Sequence, residues 1–268
     1  MPHNVIVVGT PRSGTSMLTG IFGRLGFFLA GDTDSELRDP DRGNPDGYWE
    51  AEGLIERNVE VFSAAGFPCH NTWLFDAISP EQASRIPALS ALPGHREFVK
   101  QYEGHAPWVW KDPRLCYTLS YWWPLVDPAT TRVVLITRNP EATYRSFVRI
   151  NWREDTDEAR TDVFQRIEDH NRVAREAIVS LDIPHLELTY DRFKQEGDTI
   201  AQELSAFIGI GLEPADLGFE ARYDHSTGAG RAVYLAEKAA GRLPAWLKRV
   251  IRAVVPSSLL RRLFPGGG

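Results

Sequence analysis

Two short segments of this sequence concentrate groups that bind anions. Gly9-Thr10-Pro11-Arg12-Ser13-Gly14-Thr15-Ser16 places two glycines at the spacing of the phosphate-binding loop GxxxxGKS/T. Such a loop works by turning its amides inward, ahead of a helix N-terminus whose partial positive charge adds to theirs. Thr15 stands where the loop lysine would be, and the cation is Arg12, inside the loop. The cradle is kept and its chemistry is changed; the bland reading of the same residues is a glycine turn joining two elements. The second segment is Arg138-Asn139-Pro140, with Ser146 eight residues after the arginine. A magnesium-dependent nucleotidase needs an acid at such a strand end. Arg138 instead offers a guanidinium, which grips phosphate directly in a two-pronged geometry. The bland alternatives are an exposed strand-end charge and an ordinary helix hydroxyl.

The elements that must position these groups follow from hydrophobic periodicity. Asn4–Gly9 is a continuous run rich in β-branched residues, as in a strand buried on both faces. Met17, Leu18, Ile21, Phe22 and Leu25 recur at helical spacing, predicting a helix over Ser16–Leu25 that Gly26 closes. Further strands are expected at Trp108–Trp110, Arg132–Thr137 and His185–Thr189. Further helices are expected at Ala51–Phe62, Pro140–Ile150, Ala159–Leu181 and Thr199–Ile208, the second with Asn139 as cap and Pro140 in its first turn. Strands alternating with helices predict an α/β chain: a three-layer P-loop-type fold, with a central parallel sheet, helices on both faces and the ligand at the strands' C-terminal ends. Residues 31–49, rich in Gly, Asp and Pro, read as a long functional loop.

Composition narrows the classes. The chain has 268 residues, 43% hydrophobic and 25% charged, an ordinary globular balance. A net charge of -6 argues against nucleic acid as a partner. Residues 231–268 reverse that sign, with eight Lys/Arg against one acid, Glu237. This divides the chain into a nucleotide-binding and catalytic domain over 1–230 and a basic amphipathic tail over 231–268. Within 244–264, Trp246, Leu247, Val250, Ile251 and Val254 fall on one helical face beside Lys248, Arg249 and Arg252. Such a helix either packs on its own domain or lies on an anionic membrane. Two distant cysteines, Cys69 and Cys116, form no metal or disulfide pattern. With no secretory leader and no spanning run, the expected location is cytoplasmic, with peripheral membrane contact through 244–264 as the variant.

These residues carry a family resemblance. Thr10–Ser16 resembles the 5′-phosphosulfate loop of PAPS-dependent sulfotransferases, and Arg138–Ser146 resembles their 3′-phosphate motif, in which an Arg and a Ser eight positions later bind that phosphate. The likeness is closer to the bacterial and carbohydrate enzymes than to the cytosolic steroid and phenol enzymes, which usually place Lys where Arg12 stands. The resemblance implies PAPS as sulfuryl donor and PAP as product, with no metal. Arg12, Ser13, Gly14, Thr15 and Ser16 would hold the phosphosulfate, and Arg138 and Ser146 the 3′-phosphate. Tyr190-Asp191 resembles a family segment whose Tyr touches adenine, with Asp191 as a helix cap the competing reading. Arg231, ending the loop 222–231, would close over the 3′-phosphate, although the usual GxxGxxK form is absent. His225 in that loop reads as structural.

The transfer step needs a base on the acceptor, a line of attack and a stabilised leaving oxygen. Asn44-Pro45-Asp46-Gly47-Tyr48-Trp49-Glu50 is similar to a stretch of bacterial members and makes Glu50 the candidate base, flanked by aromatics that would desolvate it. Glu52 and His70 are the substitutes. The bland reading of Glu50 is a helix-start acid or a partner for Arg57. In Lys111-Asp112-Pro113-Arg114, Lys111 would neutralise charge on the transferring group and Asp112 would orient Lys111 or Arg12; a structural ion pair is the alternative. The expected function is sulfuryl transfer to a hydroxyl or amine of a carbohydrate, glycolipid or small-molecule acceptor. The rivals are a P-loop kinase or NTPase, and a non-catalytic nucleotide-binding, membrane-associated protein. The sequence leaves the oligomeric state open.

Overall fold

The computed structural model describes residues 2–30, 37–38, 47–67 and 78–217. Met1–Gly218 is one compact unit; the expectations for His70, Cys69, His225, Arg231 and the 244–264 tail fall outside the described residues. Four parallel strands, β1 (Asn4–Val8), β2 (Val109–Lys111), β3 (Thr131–Thr137) and β4 (His185–Thr189), form one sheet in the order β2-β1-β3-β4. The two inner strands explain their own sequences: Val5–Val8 and Val133–Ile136 are fully buried, as strands covered on both faces must be. β4 is one edge of this sheet, and only Leu188 among its residues is buried. The strand order reverses at β1, with β2 laid on one side of it and β3 on the other, so the crevice at the C-terminal ends of the parallel β1–β3 pair is the topological switch point where such sheets bind ligands.

Helices flank the sheet. α1 (Thr15–Arg24) follows β1 directly and ends where Gly26 takes a left-handed φ of 86°. α2 (Glu52–Ala64), α6 (Pro140–Arg149), α7 (Asp157–Ser180) and α9 (Gly197–Ile208) lie within a few residues of the expected helices. Asn139 does cap α6, accepting from the Ala142 amide at 3.1 Å. The 78–122 region differs from expectation. It holds three helices that periodicity left unassigned: α3 (Pro80–Arg85), α4 (His95–Glu103) and α5 (Leu115–Trp122). α5 is buried almost all round, so it carries no polar face to set a period. A short α8 (Arg192–Gln195) is the remaining α-helix among the described residues. Asp191 occupies its N-cap position but its carboxylate does not cap; it pairs with Lys194 at 3.3 Å. Among the described residues no helix is long and apolar enough to cross a membrane.

The main core stacks aromatic rings. Trp110 meets Trp108 at 4.7 Å, Trp122 at 5.3 Å and Phe98 at 5.6 Å between ring centroids. This packing anchors β2 and α5, and with them the turn Lys111–Arg114 that joins the two. Asn58 on α2 locks the same turn from the other side. Its amide donates to Asp112 Oδ2 at 2.8 Å, and its carbonyl accepts from Thr118 and from Trp122 Nε1. A buried amide with three such bonds fixes one arrangement of three elements.

Candidate active site

Each strand's C-terminal end delivers one part of the site. β1 leads into Gly9–Ser16, β2 ends in Lys111, β3 in Thr137 followed by Arg138, and β4 in Thr189 followed by Tyr190. A parallel sheet places all four ends on one edge, which is why residues so far apart in sequence meet there.

The loop after β1 has the features of an anion cradle. Ser13 is buried and folds back on the loop, its hydroxyl donating to the Thr10 carbonyl at 2.8 Å. Gly14 occupies the N-cap of α1 without a side-chain bond, and the first turn contains no acid. The first amides of α1 therefore carry no capping side chain, as an anion-binding helix start requires. Gly14 has φ 106°, and a Cβ there would lie 2.6 Å from the Tyr190 ring. Gly14→Ala is therefore expected to weaken binding of a phosphate-bearing ligand roughly tenfold or more, because left-handed backbone strain and a ring clash both fall on the cradle. Calorimetry alongside a melting curve separates that loss from unfolding.

Arg12, also at positive φ (68°), aims its guanidinium across the crevice: Nε donates to Ser146 Oγ at 3.0 Å. Arg138 ties the same two segments together, donating from Nη1 to the Arg12 carbonyl at 3.2 Å. Its guanidinium lies 4.3 Å from the centre of the Tyr190 ring, and the Lys194 ammonium stands 5.1 Å from the same ring. Tyr190, itself buried, braces the arginine and closes over Gly14. The structure thus brings Arg12, Gly14, Arg138, Ser146 and Tyr190 together. Arg149, one turn after Ser146, joins them, donating from Nη2 to Ser146 Oγ at 3.0 Å.

Lys111 and Glu50 form a second centre at the end of β2. Lys111 is buried, and its ammonium donates to Glu50 Oε1 at 2.5 Å, Ser16 Oγ at 3.1 Å and the Tyr48 carbonyl at 3.1 Å. Three acceptors use all three donors of an ammonium. Burial pulls the Lys111 pKa below the ordinary lysine range, and the neighbouring Glu50 carboxylate opposes that pull. Glu50 is 0% exposed, and its other oxygen accepts from Arg38 Nη1 at 3.1 Å. Arg38 also stacks over the Tyr48 ring at 4.0 Å. Ser16 lies in the first turn of α1, so Lys111 links the loop after β1 to the carboxylate.

Trp49 sets this geometry. It takes a φ of 57°, unusual for a bulky side chain, and lays its indole on α1 where the side chains are missing. A Cβ at Gly20 would lie 2.9 Å from Trp49 Nε1, and one at Gly23 3.3 Å from its ring. The flanking Tyr48 carbonyl and Glu50 carboxylate are thereby presented to Lys111.

Several expectations are corrected. Glu50 pairs with Lys111 and Arg38 rather than Arg57, which bonds the Gly53 carbonyl and stacks on Phe98. Asp112 orients neither Lys111 nor Arg12: its Oδ1 accepts from the Arg114 amide and from Arg114 Nη1 at 2.9 Å, and its Oδ2 from Asn58. Glu52 is exposed on the first turn of α2, away from the buried carboxylate. Cys116 is a buried free thiol, whose pKa burial pushes up to about 12. At that value it is inert near neutral pH. Arg38, Asn58 and Arg149 were not legible as site residues. Only Arg149 carried a signal, its i+3 spacing from Ser146 on one helix face.

The pattern of one family, described as the sulfotransferase family, matches residues 2–214. No curated protein matches the chain. Among solved structures, the chain is similar to a sulfotransferase domain from the curacin biosynthetic pathway, with 15% identity and a TM-score of 0.47, covering 85% of this chain and 82% of that one. It is also similar to retinol dehydratase in complex with androsterone and the inactive cofactor PAP, with 14% identity and a TM-score of 0.32, covering 80% of this chain and 62% of that one.

Proposed function

The chain belongs to the sulfotransferase family, PAPS-dependent enzymes, and on that premise we propose that it transfers the sulfuryl group of PAPS to a hydroxyl or amine of a carbohydrate, glycolipid or small-molecule acceptor. The observation that carries the reading is the bond from Arg12 Nε to Ser146 Oγ, with Arg138 on the Arg12 carbonyl. It joins the phosphate loop to the second arginine–serine motif, so one nucleotide carrying anions at both ends can span them.

In this reading the α1 N-terminus, with Ser13 shaping the loop, holds the 5′-phosphosulfate. Arg138 and Ser146 hold the 3′-phosphate, and Arg12 stands between the two anions. Tyr190 offers the adenine its remaining ring edge while bracing Arg138. Glu50 takes the acceptor proton as the acceptor oxygen or nitrogen attacks sulfur. The sulfur–oxygen bond to the 5′-phosphate breaks, and PAP leaves with that oxygen and its electron pair. Lys111, between Ser16 and Glu50, neutralises the charge growing on the leaving oxygen. A phosphosulfate in the cradle gives its ammonium a second anion and so loosens its hold on Glu50, freeing the base when the donor is present. The side chains supply the positive charge that magnesium supplies in nucleotidases.

The test is turnover. The protein is incubated with PAPS and a panel of hydroxyl- and amine-bearing sugars, lipids and small molecules, and PAP release is followed. Acceptor-dependent PAP release that persists without magnesium supports the reading. Magnesium-dependent consumption of ATP, with PAPS untouched, contradicts it.

A further inference from the structure

Ser146 is 0% exposed, yet its hydroxyl sits between two cations. Arg12 Nε, from the loop after β1, and Arg149 Nη2, from its own helix, both donate to Oγ at 3.0 Å. A hydroxyl has two lone pairs and one proton. With both lone pairs taken, only the proton remains to be offered, and no acceptor for it is present among the described residues. A buried donor flanked by two guanidiniums is a site built for an acceptor with negative charge.

We propose that Arg149 is a specificity-determining residue for the donor: it supplies a further guanidinium of the 3′-phosphate pocket and orients the Ser146 hydroxyl as a donor to that phosphate. The assignment rests on the donor site proposed above and deepens it. Arg138 comes from the end of β3 and holds the carbonyl of Arg12, which reaches Ser146 from the loop after β1; Arg149 reaches it from one turn further along α6. A phosphate monoester, with charge near −2 and three terminal oxygens, can use several forked donors at once. A bare ribose hydroxyl cannot, so Arg149 separates PAPS from nucleotides that lack the 3′-phosphate.

The experiment is calorimetry of PAP and of AMP on the full chain, comparing wild type, Arg149→Gln, Arg149→Lys and Arg138→Ala. Arg149→Gln is expected to weaken PAP about 10- to 100-fold, the usual effect of a charge-assisted hydrogen bond, and to leave AMP unchanged. Arg149→Lys, keeping the charge without the fork, is expected to recover part of that loss. An equal loss for PAP and AMP, or none for either, overturns the assignment of Arg149. If Arg138→Ala abolishes PAP preference while Arg149→Gln leaves it intact, this inference alone falls. If wild type itself shows no preference for PAP, the donor site falls with it.

Discussion

Lys111→Met is expected to be the most destabilising single change at the site, costing about 3 kcal/mol, the lower end for removing one partner of a buried ion pair. The lower end applies because Arg38 still holds one oxygen of Glu50. The other oxygen loses its donor in a place water does not reach, and the Ser16 hydroxyl and Tyr48 carbonyl lose the same partner. Thermal unfolding checks this, with an expected drop of roughly 6–12 °C for a domain of this size. The double variant Lys111→Met with Glu50→Gln should recover much of the loss, since no unpaired charge stays buried. If the single variant melts with wild type, the Lys111–Glu50 contact does not contribute the stability expected of a buried ion pair.

Glu50→Gln is expected to lower kcat by a factor of about 10²–10⁴, the usual contribution of a positioned general base. The amide keeps the shape and can still accept from Arg38 or Lys111, so the protein should remain folded. Donor binding should survive, and PAP should bind at least as tightly, because Lys111 is no longer shared with a carboxylate. Glu52→Gln, an exposed position, should leave the rate unchanged. Rate measurements on both variants with PAP calorimetry check this. A Glu50→Gln enzyme at wild-type rate removes Glu50 from the chemistry and leaves it the role of holding Lys111.

The nucleotide half of the site was written in local patterns. A buried β-branched run, a glycine loop and an amphipathic helix follow one another over Asn4–Leu25, and each sets the next one's position. The same holds for β3, Arg138 and α6, where Asn139 and Pro140 mark the helix start in the sequence itself. Such features depend on neighbours a few residues away, so residue order suffices to find them. The carboxylate centre was legible only as a candidate. Glu50, Lys111, Ser16 and Arg38 come from four separate segments, and no spacing rule says that they meet. Asp112 illustrates the difference: adjacent to Lys111 in sequence, it turns to Asn58 and Arg114 because β2 ends there and alternate side chains leave on opposite sides. α5 was hidden for another reason. Leu115, Cys116, Tyr117, Leu119, Tyr121 and Trp122 are all buried, so the segment lacks the polar stripe by which helices are recognised. Trp49 shows a third case, in which the missing side chains of Gly20 and Gly23 make the groove that receives it.

The most direct test of the account compares PAP, AMP and ATP with magnesium by calorimetry on wild type and Arg138→Ala. The account predicts that wild type prefers PAP over both other nucleotides, and that Arg138→Ala erases the preference by weakening PAP roughly 10- to 100-fold with AMP little changed. Tighter binding of ATP with magnesium, or a PAP preference untouched by the loss of Arg138, would contradict it.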